Sequence, residues 1–356
     1  MADPDLCLQS YDYLLPAEHI AQKPAEPRDH ARLMVVDGDR TWHHGIFYEL
    51  PQWLRAGDLL VLNNTRVIPA RMYGHKPSGV AVEILLLEPI ASECHRWLSL
   101  VKPGKRLPVG SRIVFTESVS ATVVAIEETS RARELQFHIP EGMDLMDVAE
   151  AIGQIPLPPY IDAEQSAEAA EHYQTVYAQV PGAIAAPTAG LHFTPELLLR
   201  LQELGVELAT ITLHVGLGTF RPVEAEDITQ HQMHGEWYEV SAAVIAQIQA
   251  ARSRGGRVIG VGSTVARALE SSSMTPMMGK TNLMIYPGYR WQVLDGLITN
   301  FHLPKSSLLM MMSSFLGVGG REFLLSLYHE AIARGYRFYS YGDAMLLWRP
   351  QQEELA

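Results

Sequence analysis

The chain is poor in cysteine. Cys7 and Cys94 are its only two, too few for a disulfide framework, so a reducing compartment fits. Long hydrophobic runs are also missing. The longest, Leu308 to Val318, is interrupted by Ser313 and Ser314 and falls short of the roughly 20 apolar residues that cross a bilayer. It predicts a buried helix and no membrane association. The opening residues, Met1-Ala-Asp-Pro-Asp-Leu-Cys7, are acidic and lack the basic region and apolar core of a secretory signal; the expected location is the cytoplasm. Positive charge is in deficit as well. The formal net charge of −12 excludes a protein that holds nucleic acid by overall charge alone. No internal repeat or low-complexity tract is present.

What is present is ordinary for a globular protein: 356 residues, 47% hydrophobic and 19% charged, room enough for two domains. The charge is unevenly spread. From Arg55 to Arg112, nine basic residues stand against four acidic ones, whereas Glu141 to Tyr177 holds eight acids and no Lys or Arg. Such opposed regions mark either different partners or different solvated faces.

Between residues 67 and 140, short alternating segments recur: Val80 to Leu87, Trp97 to Val101, Arg112 to Thr116, Ala121 to Ile126 and Arg133 to Ile139. Turn clusters such as Lys76-Pro-Ser-Gly79 separate them. Even spacing without a helical period predicts an antiparallel sheet or small barrel. Gly57 to Asn64 leads into this block as a buried strand ending in polar residues.

Beyond residue 140, helix and strand alternate. Thr194 and Pro195 read as a cap and first helical residue, with Gly205 closing that helix. Strands are expected at Leu33 to Asp37, Val206 to Val215, Glu236 to Val240, Arg257 to Val261, Asn282 to Tyr286, Gly296 to Phe301 and Tyr336 to Ser340. Helices fall at about 242–254, 264–272, 306–316 and 321–334. The predicted fold class is α/β: a mixed-sheet α/β main domain (1–66 plus 141–356) with an inserted antiparallel β-barrel domain (67–140).

Two glycine-punctuated stretches carry histidines, Ala186-Pro-Thr-Ala-Gly-Leu-His-Phe193 and Thr212-Leu-His-Val-Gly-Leu-Gly-Thr-Phe220. Glycine lets backbone approach a ligand closely, and imidazole suits proton transfer near neutral pH. The bland alternative is that the glycines turn corners and the histidines are core. In a helix-covered sheet, ligands sit at the carboxyl ends of strands. There the sequence places Gly216, Gly218 and Thr219; Gly262, Ser263 and Thr264; Pro287 and Gly288; Thr299, Asn300 and His302; and Tyr341, Gly342 and Asp343.

Arg257-Val-Ile-Gly-Val-Gly-Ser-Thr-Val-Ala-Arg267 reads as strand, glycine turn and helix start. Val265 stands where the third glycine of a dinucleotide fingerprint belongs, and no Walker sequence occurs. Ser263, Thr264 and Arg267 therefore either contact a ribose or RNA phosphate or only cap the helix. His231-Gln-Met-His234 lacks the companions of a metal site and suits proton transfer or RNA contact instead. Asn63, Asn64, Arg66 and Arg71 gather amides and guanidiniums around a strand end, suited to bases or phosphates or simply to a surface loop. Met310-Met-Met312 reads as core.

Several motifs then match in order. Tyr11-Asp-Tyr-Leu-Leu-Pro16, Ile20-Ala-Gln22, Leu62-Asn-Asn-Thr-Arg66, the two histidine stretches, Met233-His234, Thr299-Asn-Phe-His-Leu-Pro304 and Tyr341-Gly-Asp-Ala-Met345 together resemble the S-adenosylmethionine:tRNA ribosyltransferase-isomerase family of queuosine synthesis. One departure is Val261-Gly-Ser-Thr-Val-Ala-Arg267, where the family usually reads Val-Gly-Thr-Thr-Ser-Val-Arg.

The resemblance implies a transferase that moves the ribosyl portion of S-adenosylmethionine to 7-aminomethyl-7-deazaguanine at the tRNA wobble position and isomerises it. Adenine and methionine leave, and epoxyqueuosine-tRNA is the product. It implies an α/β domain carrying a β-barrel insert, and a monomer whose partners are S-adenosylmethionine, a co-substrate rather than a cofactor, and precursor-bearing tRNA. No metal is expected. A sulfonium acidifies the adjacent ribose carbon, adenine departs more easily when protonated, and the incoming amine must be neutral, so histidines and a carboxylate are called for.

On this reading His192, His214 and His302 are acid/base candidates, with Asp343 on the cationic or adenine portion of the donor. Phe193 and Phe220 pack on its rings or sulfonium, with Gly216, Gly218, Thr264, Arg267 and Asn300 also in the substrate site. Asn63, Asn64, Arg66, Arg71 and His234 hold tRNA. Two other classes compete: a non-catalytic RNA-binding module, supported by the β block and its positive segment, and an ordinary S-adenosylmethionine methyltransferase.

Overall fold

The computed structural model describes residues 3–90, 95–128, 131–158, 160–161, 167–216 and 223–350. The chain begins with β1 (Arg32–Val36), β2 (Trp42–Ile46), β3 (Leu59–Asn63) and β4 (Thr65–Val67). Six strands follow: β5 (Arg71–His75), β6 (Ala81–Pro89), β7 (Arg96–Lys102), β8 (Arg112–Val114), β9 (Ser120–Ile126) and β10 (Arg133–His138). Then come α1 (Leu145–Ile152), α2 (Ala167–His172), β11 (Val180–Ala183), α3 (Pro195–Glu203), β12 (Glu207–Leu213) and β13 (Glu236–Val240). The rest is α4 (Ala242–Ser253), β14 (Val258–Val261), α5 (Ser263–Ser272), β15 (Met277–Thr281), β16 (Gly296–Asn300), α6 (Ser307–Phe315), α7 (Gly320–Ala333) and β17 (Ala344–Trp348).

Among the described residues the main sheet has nine strands in the order β15-β13-β12-β3-β14-β16-β17-β1-β2. Its centre, β12-β3-β14-β16, is parallel; β17 runs against β16 and with β1. The central strands have near-continuous apolar sequence because both faces are covered. Leu59 and Val61 pack with α4 and α5 on one face, whereas Leu60 and Leu62 pack with Leu197 and Leu201 of α3 on the other, the period of two that a strand imposes. Thr194 caps α3 by accepting from the Leu197 amide at 3.1 Å, with Pro195 first in the helix.

β5 to β10 close into an antiparallel barrel ordered β10-β7-β6-β5-β8-β9. Alternate residues point inward: Val82, Ile84 and Leu86 from β6, and Leu135 and Phe137 from β10, are buried in its core. Closure leaves no strand edge open. The α/β main sheet with a separate antiparallel barrel is the fold class read from the sequence.

Three strand expectations need correction. Tyr336 to Ser340 is not a strand. It alternates buried and less buried residues as a strand would, but only Phe338 forms a bridge, to Ile20, and Tyr339 takes φ 75°. The strand lies later, at β17, so Tyr341-Gly-Asp343 precedes it rather than follows it. Asn282 to Tyr286 is likewise irregular, and its neighbour Met277–Thr281 is the strand that pairs with β13. Strand β5 lay outside the expected set, since Arg71 to His75 is short and contains Gly74.

Among the described residues no single helix is long and apolar enough to cross a membrane; α6 and α7 together have the composition but meet at 111°.

Candidate functional site

The site is built where three parallel strands end. β14 stops at Val261, and Gly262 then takes φ 89° before α5 starts at Ser263, a left-handed turn that glycine adopts at least cost. Gly262 is itself the N-cap residue, and no side chain caps this helix. Ser263 and Thr264 are thus not used as caps, which removes the bland alternative for them. β16 ends at Asn300, and β12 ends at Leu213, just before His214 and Val215.

A cleft opens over these ends, with about 600 Å³ of empty space, part of it open solvent. Thr188, Val215, Thr264, Asn300, His302 and Tyr339 are among its lining residues. The segment from Ala185 to Ala189, the start of the first histidine stretch, crosses it as one wall. A narrower pocket shares Ser263, Thr264 and Leu308 with this cleft and is otherwise lined by Met233, Met284, Met311 and Arg267, among others.

A chain of hydrogen bonds leads from the cleft into the core. Thr188 Oγ1 donates to Asn300 Oδ1 at 3.1 Å, and Asn300 Nδ2 lies 3.1 Å from His192 Nε2. An amide NH₂ only donates, so His192 Nε2 accepts and the ring proton of the neutral form sits on Nδ1. Phe47 covers the ring at 5.0 Å between centroids. Burial, with Arg337 as a lesser cause, pulls the His192 pKa down to about 3.

His302 lines the cleft itself. Its Nε2 is 2.8 Å from Thr299 Oγ1, its amide donates to the Tyr328 hydroxyl at 3.0 Å, and its carbonyl accepts from Tyr13. Burial lowers its pKa to about 3. His214 Nδ1 is 2.8 Å from Thr65 Oγ1, and its ring stacks on Trp237 at 5.0 Å; desolvation brings its pKa to about 4. Charging an imidazole in such surroundings is costly, so all three are neutral at pH 7.

The structure gathers Thr264, Asn300 and His302 on the cleft, His192 one bond behind Asn300, and His214 beside the lining residue Val215. Arg267 lines the narrower pocket and is ion-paired with Glu236, whose other oxygen accepts from the Gly216 amide at 2.9 Å. Gly218 and Phe220 lie outside the described residues.

Other expectations are corrected. Asp343 is 2% exposed and is not among the residues lining the cleft. It accepts from the amides of Arg32 at 3.0 Å and Arg337 at 2.8 Å, which joins β1 to the loop before β17. Phe193 is fully buried against Phe47 and Tyr177, so it packs the core rather than a ligand. Asn63 and Asn64 are buried too. Asn63 Nδ2 donates to Leu213 O and Thr264 Oγ1, and Asn64 Oδ1 accepts from Thr212, so they stitch β3 to β12 and do not face a macromolecule.

Arg66 is half-exposed and paired with Glu150 at 2.8 Å, while Arg71 is held by Glu83 at 3.3 Å. His234 is exposed and His231 half-buried, both outside the cleft lining. Met310 and Met312 are core as expected, but Met311 also lines the narrower pocket. One group of three possible metal ligands exists among the described residues, Glu26, Glu168 and His172, and none of them lines the cleft. The motifs did not single out Tyr173, Tyr339 and Ser340 as cleft residues; Tyr339, a non-glycine at positive φ, is the kind of strained residue that marks a site only once backbone is known.

Comparison with known proteins identifies the family. The family model described as Queuosine biosynthesis protein matches residues 8–347. The chain is 55% identical over 372 residues to the S-adenosylmethionine:tRNA ribosyltransferase-isomerase of Nostoc sp., covering 96% of this chain and 92% of the relative. It is 55% identical to the protein of the same name from Gloeobacter violaceus, with 96% of each covered. Among solved structures it is similar to an S-adenosylmethionine tRNA ribosyltransferase from Thermotoga maritima, at 36% identity and a TM-score of 0.53, with 95% of this chain and 99% of that one covered.

Proposed function

The chain belongs to the queuosine biosynthesis family of S-adenosylmethionine:tRNA ribosyltransferase-isomerases, which makes it a transferase, and we propose that it transfers and isomerises the ribosyl portion of S-adenosylmethionine onto 7-aminomethyl-7-deazaguanine at the tRNA wobble position. Adenine and methionine leave and epoxyqueuosine-tRNA forms. The observation that carries this reading is the convergence of Thr188, Thr264, Asn300 and His302 on one cleft at the ends of β14 and β16.

The positive sulfur of the donor acidifies the neighbouring ribose carbon. His302, neutral and in contact with the cleft, takes that proton. Burial keeps the ring uncharged before the reaction, so it has a lone pair to accept the proton and can then pass it on to departing adenine. Thr299 holds the ring. His192 is a positioning residue that acts through Asn300, and His214 steadies the Val215 wall from its place on Thr65 and Trp237.

The tRNA has its grip on the barrel, the domain we assign to residues 67–140, the remainder being the α/β domain. Lys102, Lys105 and Arg106 are exposed around the end of β7, and Lys76 reaches the Arg106 carbonyl at 2.8 Å. Such a patch supplies local positive charge to a protein that is acidic overall. S-adenosylmethionine is a co-substrate, no resident cofactor takes part, and the enzyme works as a cytoplasmic monomer.

The test is incubation with S-adenosylmethionine labelled in its adenine and methionine portions, plus tRNA bearing the precursor base. Free adenine and free methionine are expected, with neither label retained in the tRNA product. S-adenosylhomocysteine as product would establish a methyltransferase instead, and tRNA binding without adenine release would establish a binding module.

A further inference from the structure

The narrower pocket beside the cleft has a composition that the ribosyl chemistry does not require. Its walls are largely apolar, with three methionines, Met233, Met284 and Met311, joined by Leu283 and Ile285. Into this lining is set one guanidinium, Arg267, whose side chain is only 7% exposed. Nη2 is ion-paired with Glu236. Nη1 has no hydrogen-bond partner among the described residues. A buried guanidinium N–H left without an acceptor is expensive, and a site that tolerates one is matched to an acceptor brought from outside.

The charge balance narrows the class of ligand. Arg267 and Glu236 together are neutral, so a bare phosphate would add uncompensated charge to an apolar pocket. A zwitterion adds none. An α-amino acid brings a planar carboxylate, which guanidinium recognises well, and its own ammonium balances that charge. The methionine walls are polarisable and adaptable surfaces for the methylenes of such an arm and for the sulfur they lead to. Ser263, Thr264 and Leu308 belong to both this pocket and the cleft, so one ligand can extend across the shared wall.

We propose that the pocket lined by Met233, Met284, Met311 and Arg267 is the subsite for the methionyl arm of the donor, with its carboxylate on Arg267 Nη1 and its ribose and adenine in the neighbouring cleft. This rests on the donor being S-adenosylmethionine, as proposed above. The carboxylate is remote from the reacting ribose, so Arg267 is a binding and positioning residue. It also gives the enzyme a means to release methionine last or first independently of adenine, because the two leaving fragments occupy separate compartments.

Equilibrium binding of three compounds to the full-length protein tests it: S-adenosylmethionine, its decarboxylated analogue, and 5′-methylthioadenosine, which lacks the amino-acid arm. The wild-type protein is expected to favour S-adenosylmethionine over the decarboxylated compound by about 10- to 100-fold, the scale of one charge-assisted hydrogen bond. R267M should erase that preference and leave 5′-methylthioadenosine affinity unchanged, with R267K intermediate. Equal wild-type affinity for the first two compounds would overturn the subsite, and this arm needs no variant to fold. If adenine release from precursor tRNA persists while the preference is absent, the subsite fails and the function stands; if none of the three compounds binds, both fail.

Discussion

Asn300 Nδ2 donates to His192 Nε2 across 3.1 Å, and Asn300 Oδ1 receives the Thr188 hydroxyl at the same distance. One amide thus joins the cleft wall to an imidazole in the core. Replacing Asn300 by Ala leaves that buried nitrogen without a donor, at a cost of about 1–3 kcal/mol. A thermal melt of N300A against wild type reads the loss, and turnover should fall by about tenfold or more, the equivalent of some 1.4 kcal/mol. Unchanged melting and unchanged turnover together would show that the link does nothing.

His302 is the histidine that lines the cleft. H302A is expected to lower kcat by about 100- to 10,000-fold, the usual range for an acid/base group, with little change in the affinity for S-adenosylmethionine. Single-turnover adenine release measures it. A rate within about tenfold of wild type would take His302 out of the proton transfer.

Acid should unfold the protein through its buried imidazoles. The folded pKa values of His192 and His302 are about 3 and that of His214 about 4, against 6.5 in the unfolded chain. The unfolded state therefore binds more protons between pH 6.5 and about 3. Stability is complete above that window and falls as pH drops through it, by about 1.4 kcal/mol per unit for each fully buried histidine. Urea titrations at pH 7.5, 6 and 5 give the slope, and H302Q should reduce it by one proton. A slope identical in H302Q and wild type would contradict the assignment.

Gly182 sits in β11 at φ 150°, and a Cβ there would meet the His214 ring at 2.6–2.9 Å. G182A is expected to push the ring off Trp237 and destabilise the fold by about 1–3 kcal/mol. The Trp237 fluorescence, now influenced by a stacked imidazole 5.0 Å away, reports the displacement. If emission and activity both stay at wild-type values, His214 has room that the geometry denies it.

Charge removal on the barrel should act on tRNA alone. Changing Lys102, Lys105 and Arg106 to Ala should weaken tRNA binding and flatten its dependence on salt, by about 0.9 in log–log slope for each phosphate that is no longer neutralised. Filter binding across a KCl series measures the slope. The affinity for S-adenosylmethionine should not move; a parallel fall there would point to general damage instead.

Much of the scaffold was legible because its signals are local. The α3 start at Thr194 and Pro195, the helices at Ala242, Ser263, Ser307 and Gly320 and most barrel strands all follow from caps and alternation. Tyr336 to Ser340 misled because its alternation comes from packing Tyr336 and Phe338 into the core, not from pairing. In the site, Thr264, Asn300 and His302 were readable as polar residues at strand ends. Asn63, Asn64 and Asp343 carried the same signal and serve the frame instead, since burial, the quantity that separates the two roles, depends on distant segments. The narrower pocket was hidden for that reason too. Met233, Met284 and Met311 come from a loop, an irregular stretch and a helix, and no spacing connects them.

The reversal of β17 against β16 has a practical sequel. Ala344 pairs with Asn300 at the cleft, whereas Trp348 pairs with Gly296 at the other end of the strand. The backbone is therefore carried away from the mouth as it leaves the sheet. Anchoring the molecule to a sensor chip beyond Pro350 would hold it by its back, with the opening turned toward injected RNA.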